Sequence, residues 1–444
     1  MSVIDDLPQP SSSRLAIRVT PDALRQLRSG HPWLYEGSIR SVSREGAPGD
    51  LAVVFDDDRR FAAIGLWDPL SPIRVKVLHC GNPATIDGTW FRGVLDAALA
   101  RRHPLITSIG TEKETTAYRV VNGESDGLPS MVIDRYSDVV VMKLYSAAWI
   151  PYLAVLVPEV VALLNPTSVV LRLARSMREI PLHGLVEGAS LFGPDVTEPI
   201  RFREVGLNFE ADVVRGQKTG HFLDQRDNRA RVGELAARSR VLDVFCCTGG
   251  FSVHAAAGGA HAVLGIDSSP GALASAKHNI ALNAHLPRLK ACQHETVCAE
   301  AYGEMERLIE ARRRFDVVVV DPPSFAQNAA SVPRALAAYA RLTTLGIALL
   351  ERGGTLVQAS CSSRVGEADF FRTVHLAAAR AGVDLEEIER TGHALDHPVT
   401  FAEGAYLKTL FARVAPLREA RRVASMSTTG QQMNQRTTAP RRVE

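Results

Sequence analysis

Alternation of apolar and polar residues marks the start of the folded chain. Ala16-Ile17-Arg18-Val19 alternates and predicts a strand, and Pro21 then opens a short helix over 22–28. Thr20 is placed to cap that helix and Gly30 to end it. Leu51 to Phe55, Phe61 to Trp67 and Ile73 to Leu78 are apolar runs with turn residues between them. They predict strands of a small β-barrel-like module. Trp90 to His103 has helical amphipathic spacing. Val132 to Tyr136 and Val139 to Leu144 predict a hairpin joined at Ser137-Asp138, followed by a helix to Leu164 and a strand at Ser168 to Leu173. This segment predicts a small α+β domain.

From about 205 to 415 the pattern becomes strand and helix in alternation. Val241 to Phe245, Ala262 to Asp267, Phe315 to Val320 and Gly354 to Gln358 predict strands. The run of four valines at 317–320 suits a strand covered on both faces of a parallel sheet. The expected fold class is therefore α/β, a doubly wound, Rossmann-like domain behind the two smaller ones. The expected boundaries are 14–85, 86–204 and 205–417, with a disordered basic tail over 418–444. A length of 444 residues agrees with about three domains. Leu144 to Leu164 is apolar, but it holds Pro151, Pro158 and Glu159. It reads as a core helix with its flanking strand, so no membrane partner is expected.

Charge narrows little by itself. Lys plus Arg total 51 and Asp plus Glu 49, a net +2, which excludes a histone-like polycation but leaves room for a local phosphate-binding patch. Arg25, Arg28, Arg40 and Lys76 are candidates for such a patch. The first 13 residues lack the apolar stretch of a secretory signal. The six cysteines show no C-x-x-C spacing, so no metal site is expected and reduced thiols in the cytoplasm are the default. Cys80, Cys246, Cys247, Cys292 and Cys298 read as inert core residues.

Three segments carry chemistry. In Asp243-Val-Phe-Cys-Cys-Thr-Gly-Gly-Phe-Ser252 a strand ends in a glycine turn that leads into a helix. Gly249 and Gly250 allow close approach of a ligand, and the helix N-terminus supplies unbonded N–H groups. The following strand ends in Asp267, an acid placed to accept the hydroxyls of a ribose. There is no G-x-G-x-x-G and no P-loop. A nucleoside joined to an amino acid, S-adenosylmethionine (SAM), fits better than a dinucleotide. Next, Phe315 to Val320 delivers Asp321-Pro322-Pro323-Ser324-Phe325, a carboxylate on a stiff turn with a ring able to stack on a base. Third, Gly354 to Ser363 ends in Ala359-Ser360-Cys361-Ser362, a thiol beyond the strand end between two hydroxyls.

Together these segments resemble a class I SAM-dependent methyltransferase. Gly216-Gln-Lys-Thr-Gly-His-Phe-Leu-Asp-Gln-Arg-Asp-Asn-Arg229 resembles the signature of RlmI-type large-subunit ribosomal RNA methyltransferases. Val121 to Pro129 with Asp134-Arg135-Tyr136 resembles that family's middle domain, and Gly30-His-Pro-Trp-Leu-Tyr-Glu-Gly37 its N-terminal PUA domain. The resemblance implies SAM as cofactor and carbon 5 of a cytosine in 23S ribosomal RNA as acceptor. The substrate would be the RNA or a large-subunit assembly intermediate, and a homodimer is allowed. It further implies that Asp243, Gly249 and Phe251 line the cofactor turn, and that Asp267 holds the ribose. Glu300 would serve the adenine side, and Gln225 and Arg226 the methionine end. Asp321, Pro322, Pro323 and Phe325 would face the base, with Asp321 also beside the cofactor, and Cys361 would be the nucleophile. The chain departs from the pattern twice. Glu300-Ala301-Tyr302 stands where Asp-Ala-Phe is usual, and Ser324 stands where two-cysteine enzymes carry a second thiol. Two rival readings stay open at this point: methylation of a base nitrogen through Asp321-Pro322-Pro323, and an RNA-binding assembly factor with a vestigial catalytic domain.

Overall fold

The computed structural model describes residues 3–326 and 328–416. The expected tail at 418–444 lies outside the described residues. The described residues form two compact units, residues 3–226 with 393–404, and residues 227–392 with 405–416.

The first unit holds both small modules foreseen from sequence. Strands Leu15–Val19, Trp33–Tyr35, Ile39–Val42, Leu51–Phe55, Phe61–Trp67 and Ile73–Cys80 form one six-stranded sheet. Leu15, Ile17, Val54, Ala63 and Val75 are fully buried at its centre. Thr20 caps the helix Pro21–Arg28 by accepting from the Ala23 N–H, and Gly30 follows with φ 90°. At Gly65 a Cβ would stand 2.3 Å from the carbonyl oxygen of Lys76, so the paired strands admit only glycine there. A five-stranded sheet follows, in the order Ser190–Phe192, Ser168–Leu173, Val139–Leu144, Met131–Tyr136, Ala117–Asn122. Helices Gly88–Arg101 and Leu153–Leu164 belong to the same module. Ala147–Leu164 is long and apolar enough to cross a membrane, but Trp149, Leu153, Leu156 and Val160 are buried in this unit's core.

One surface assignment needs correction. Lys76 is buried, and its ammonium is 2.8 Å from Asp68, so it is an internal ion pair rather than a phosphate contact. Residues 75–78 are buried in succession, so this strand is covered on both faces and Lys76 faces inward on either, a fact that charge alone conceals. Arg25 and Arg28 pair with Asp22 and Asp56, while Arg40 is exposed.

The second unit is built on a seven-stranded sheet. Its strands are β1 (Arg240–Val244), β2 (Ala262–Asp267), β3 (Gln293–Cys298), β4 (Phe315–Val320), β5 (Leu350–Ser360), β6 (Val383–Thr391) and β7 (Lys408–Pro416). Their order is β3-β2-β1-β4-β5-β7-β6. The first five run parallel, and β7 is antiparallel to both β5 and β6. Five long helices connect them: α1 (Gly250–Gly258), α2 (Pro270–Ala281), α3 (Ala301–Glu310), α4 (Val332–Leu349) and α5 (Glu367–Arg380). Val317 to Val320 are at most 2% exposed, as their run predicts. Each such side chain gains about 1.5–3 kcal/mol by leaving water.

The sequence order reverses between β1 and β4. In open α/β sheets ligands collect outside the carboxyl ends of strands at that switch point. Register fixes which residues meet there. Asp243 pairs with Gly265 and Val319, Val320 with Gln358, and Ser360 with Lys408. The ends of β1, β2, β4 and β5 therefore lie along one edge, and the antiparallel β7 begins at the same edge.

Candidate cofactor and methyl-transfer site

The turn after β1 is tightly held. Phe245 and Cys247 adopt φ 65° and 48°, conformations that L-residues keep only when their surroundings enforce them. The Cys246 N–H donates to Ile266 O at 3.0 Å and the Cys247 N–H to Asp267 Oδ2 at 2.9 Å. Asn279 Nδ2 donates to Thr248 O at 3.0 Å, which ties the turn to α2. Gly249 has φ 77°, and a Cβ there would stand 2.8 Å from that of Ala276. Its freedom thus serves helix packing as well as the turn. Phe251 is buried in the first turn of α1.

Asp243 is fully buried. Its Oδ2 accepts from the Ser252 N–H at 3.0 Å and from Ser252 Oγ at 2.6 Å. Its Oδ1 has no hydrogen-bond partner. Burial pushes the carboxyl up to about 6, against the two Ser252 bonds. A buried carboxylate oxygen without a donor is expensive unless a ligand supplies one. The amino group of SAM is such a donor, so the residues present fit the cofactor. Asp267 is half-buried, and its two oxygens accept from the Cys247 and Ser269 N–H groups. Each oxygen retains a second lone pair for a hydroxyl. Glu300 is exposed and caps α3 through Gly303 N at 2.9 Å.

Gln225 and Arg226 belong to the first unit and are buried there. Arg226 Nη2 donates to Asp396 Oδ1 at 2.9 Å, within that unit. Their link to the methionine end rests on the resemblance alone.

The turns after β4 and β5 come together. Cys361 Sγ donates to the Pro322 carbonyl at 3.6 Å, which joins the thiol to the Asp-Pro-Pro turn. Asp321 continues the β1–β4 ladder through Val244 O. Pro322 is buried, Pro323 exposed and Phe325 half-buried. Phe325 lies 5.2 Å from the ring of Tyr339, and Tyr339 Oη accepts from Ser360 Oγ at 2.8 Å. Ser252, Tyr339 and Lys408 were not singled out from sequence. Ser252 carried a signal, standing just past a glycine turn whose acid needs a donor. The other two carried none.

The cysteines divide differently from the sequence expectation. None of the six is in a disulfide, but only Cys246 among the five assigned to the core is fully buried. Cys247 and Cys292 are half-buried, and Cys80 and Cys298 are exposed. The last two end their strands, where the chain leaves the sheet. Burial pushes the Cys247 and Cys292 thiols up to about 11 and raises Cys80 and Cys246 as well. Among the described residues no group of three or more His, Cys, Asp or Glu is placed to hold a metal ion.

Comparison with known proteins bears on this arrangement. Residues 190–413 match the S-adenosylmethionine-dependent methyltransferase family, and residues 17–79 match a PUA-like domain. A Deinococcus radiodurans protein named ribosomal RNA large subunit methyltransferase is 45% identical, covering 92% of this chain and 99% of its own. A Shewanella amazonensis protein named ribosomal RNA large subunit methyltransferase I is 35% identical, covering 90% and 99%. A solved structure from Streptococcus mutans, described as a SAM-dependent methyltransferase, superposes with TM-score 0.76 at 21% identity. It covers 90% of this chain and all of its own.

Proposed function

The chain belongs to the SAM-dependent large-subunit ribosomal RNA methyltransferase family, and from that premise we propose that it forms 5-methylcytosine in 23S ribosomal RNA through a Cys361 thiolate adduct. The observation that carries this reading is the meeting of the Cys361 thiol with the Asp321-Pro322-Pro323 turn at the sheet's carboxyl edge. An enzyme that methylates a base nitrogen has no need of a thiol there.

When bound, SAM supplies an electrophilic methyl group. Carbon 5 of cytosine is too poor a nucleophile to take it unaided. Cys361 sulfur adds to carbon 6, and the ring's 5,6 electron pair becomes available at carbon 5. Asp321 holds the ring nitrogen and amine edge and favours the charge that develops there. Phe325 stacks on the base once it has left its helix. After methylation a base removes the carbon 5 proton. The electrons of that bond re-form the double bond, and the carbon–sulfur pair returns to Cys361. Gly249, Phe251, Asp243 and Asp267 would cradle the cofactor, with Glu300 on its adenine side. The PUA-like domain binds the RNA, and the enzyme works in the cytoplasm on ribosomal RNA or a large-subunit intermediate.

The test is a 5-fluorocytidine-substituted ribosomal RNA fragment incubated with the enzyme and SAM. Fluorine cannot leave as a proton does, so a covalent complex through Cys361 is expected on a denaturing gel. Methylation of unsubstituted RNA with no trapped complex would count against the thiolate route.

Asp243 yields a separate expectation. An ammonium beside its Oδ1 favours the ionised carboxylate, whereas the ligand-free group titrates near 6. Binding near pH 6 should therefore expel a proton, and SAM affinity should climb between pH 5 and 7 and then level off. Calorimetry in buffers of different ionisation enthalpy reads both effects. Asp243→Asn should bind SAM about 10- to 100-fold more weakly, the worth of a charge-assisted bond, and lose the pH dependence.

A further inference from the structure

Lys408 opens β7 opposite Ser360, the residue before the thiol. It is 4% exposed. Its Nζ donates to the carbonyl oxygens of Ser362 at 2.7 Å and Val365 at 2.6 Å. Those two carbonyls span the turn that follows Cys361. Among the described residues no carboxylate forms an ion pair with this ammonium, although a buried charge ordinarily requires one. The acidic groups whose charge would act on it are Cys361 and, from α5, Glu367. Tyr339 of α4 is tied to the same strand end, its Oη accepting from Ser360 Oγ at 2.8 Å. A neutral donor would suffice to tie down two carbonyls. A lysine in that place adds a positive charge beside the thiol.

We propose that Lys408 is a positioning residue of the methyl-transfer site, holding the Cys361 turn in place and supplying the charge that favours the thiolate once Cys361 gives up the proton it otherwise donates to the Pro322 carbonyl. This inference rests on the reading of Cys361 as the nucleophile. The charge acts twice in the cycle. It favours the thiolate that adds to carbon 6, and it favours the same thiolate as the group expelled at the end. Burial lowers the Lys408 ammonium to about 8, against the pull of Cys361 and Glu367. The group is thus mostly charged at neutral pH and loses its proton on the alkaline side. The gap in Cys361 alkylation rate between the wild type and a variant neutral at 408 should therefore be widest near neutral pH and narrow as pH rises through about 8. Arginine at 408 stays charged and should keep the wild-type rate at neutral pH.

The decisive experiment needs no cofactor. Alkylation of the ligand-free full-length protein by iodoacetamide is followed by peptide mass spectrometry, which resolves Cys361 from the exposed Cys80 and Cys298. Lys408→Met should slow Cys361 alkylation at pH 7 about tenfold and leave Cys80 and Cys298 unchanged. Lys408→Gln, which keeps a hydrogen-bond donor without the charge, should slow it equally, and Lys408→Arg should restore it to within about twofold. Either neutral variant alkylating at the wild-type rate, with native circular dichroism, overturns the proposal, and so does an equal slowing in the arginine variant. Should Met at 408 fail to fold, Gln and Arg still decide the matter. Failure of the nucleophile reading shows elsewhere: Cys361→Ala would then keep methylating RNA whatever the alkylation rates.

Discussion

Cys361→Ala should lower methyl transfer to ribosomal RNA by at least ~10⁴-fold while SAM binds with near wild-type affinity. The magnitude follows from the role. A residue that makes the covalent intermediate has no substitute, and removing such nucleophiles from other enzymes costs up to about 10⁶-fold. The separation of effects follows from geometry. Asp243, Gly249 and Asp267 sit at the ends of β1 and β2, whereas Cys361 follows β5 and touches the Pro322 carbonyl. The thiol is half-buried and packs beyond the strand end, so its loss leaves the β5 core intact. Cys361→Ser should be almost as inactive, because an alkoxide is far harder to form than a thiolate. Tritium transfer from labelled SAM measures the rate, and calorimetry the affinity. Activity within tenfold of wild type would remove the thiolate from the mechanism.

Asp321→Asn should lower kcat by about 10²- to 10³-fold with little change in KM for RNA, the range seen when a group aimed at developing charge is removed. Addition of sulfur at carbon 6 drives an electron pair onto the ring nitrogen side, and a carboxyl group can share a proton there. An amide keeps the size and can still donate a hydrogen bond, but it cannot pass a proton. The loss therefore falls on the chemical step rather than on binding. Single-turnover rates against RNA concentration separate the two. A variant whose entire defect lies in KM would show Asp321 to be a binding group only.

How much of this was legible in the sequence varies by element. The valine run of β4 and the Asp267 end of β2 were plain, because strands buried on both faces leave an uninterrupted apolar signature. The β3 strand was missed, as its Gln293-His-Glu-Thr-Val-Cys298 sits at the sheet edge with a mixed exposed and half-buried pattern. The β6 and β7 strands were also missed. Glu386, Glu387 and Glu389 of β6 belong to an edge strand, where charge protects against pairing with other chains. That omission concealed Lys408. Its place at the active edge follows from antiparallel pairing of β7 with β5, and nothing local to Lys408 predicts it. The glycine turn after β1 was readable because Asp-x₅-Gly-Gly is a contiguous motif, and the Ser252 donor stands two residues beyond it. The meeting of Cys361 with Pro322 joins residues far apart in the chain, and needed the sheet register.

The central claim concerns which atom receives the methyl group. The direct measurement is nucleoside mass spectrometry of 23S ribosomal RNA from cells with and without the gene, with the gene restored as Cys361→Ala as a third arm. We expect one 5-methylcytidine to disappear on deletion, to return with the wild-type gene and to stay absent with the Cys361→Ala form. Loss of a nitrogen-methylated base instead, with 5-methylcytidine unchanged, would contradict the account.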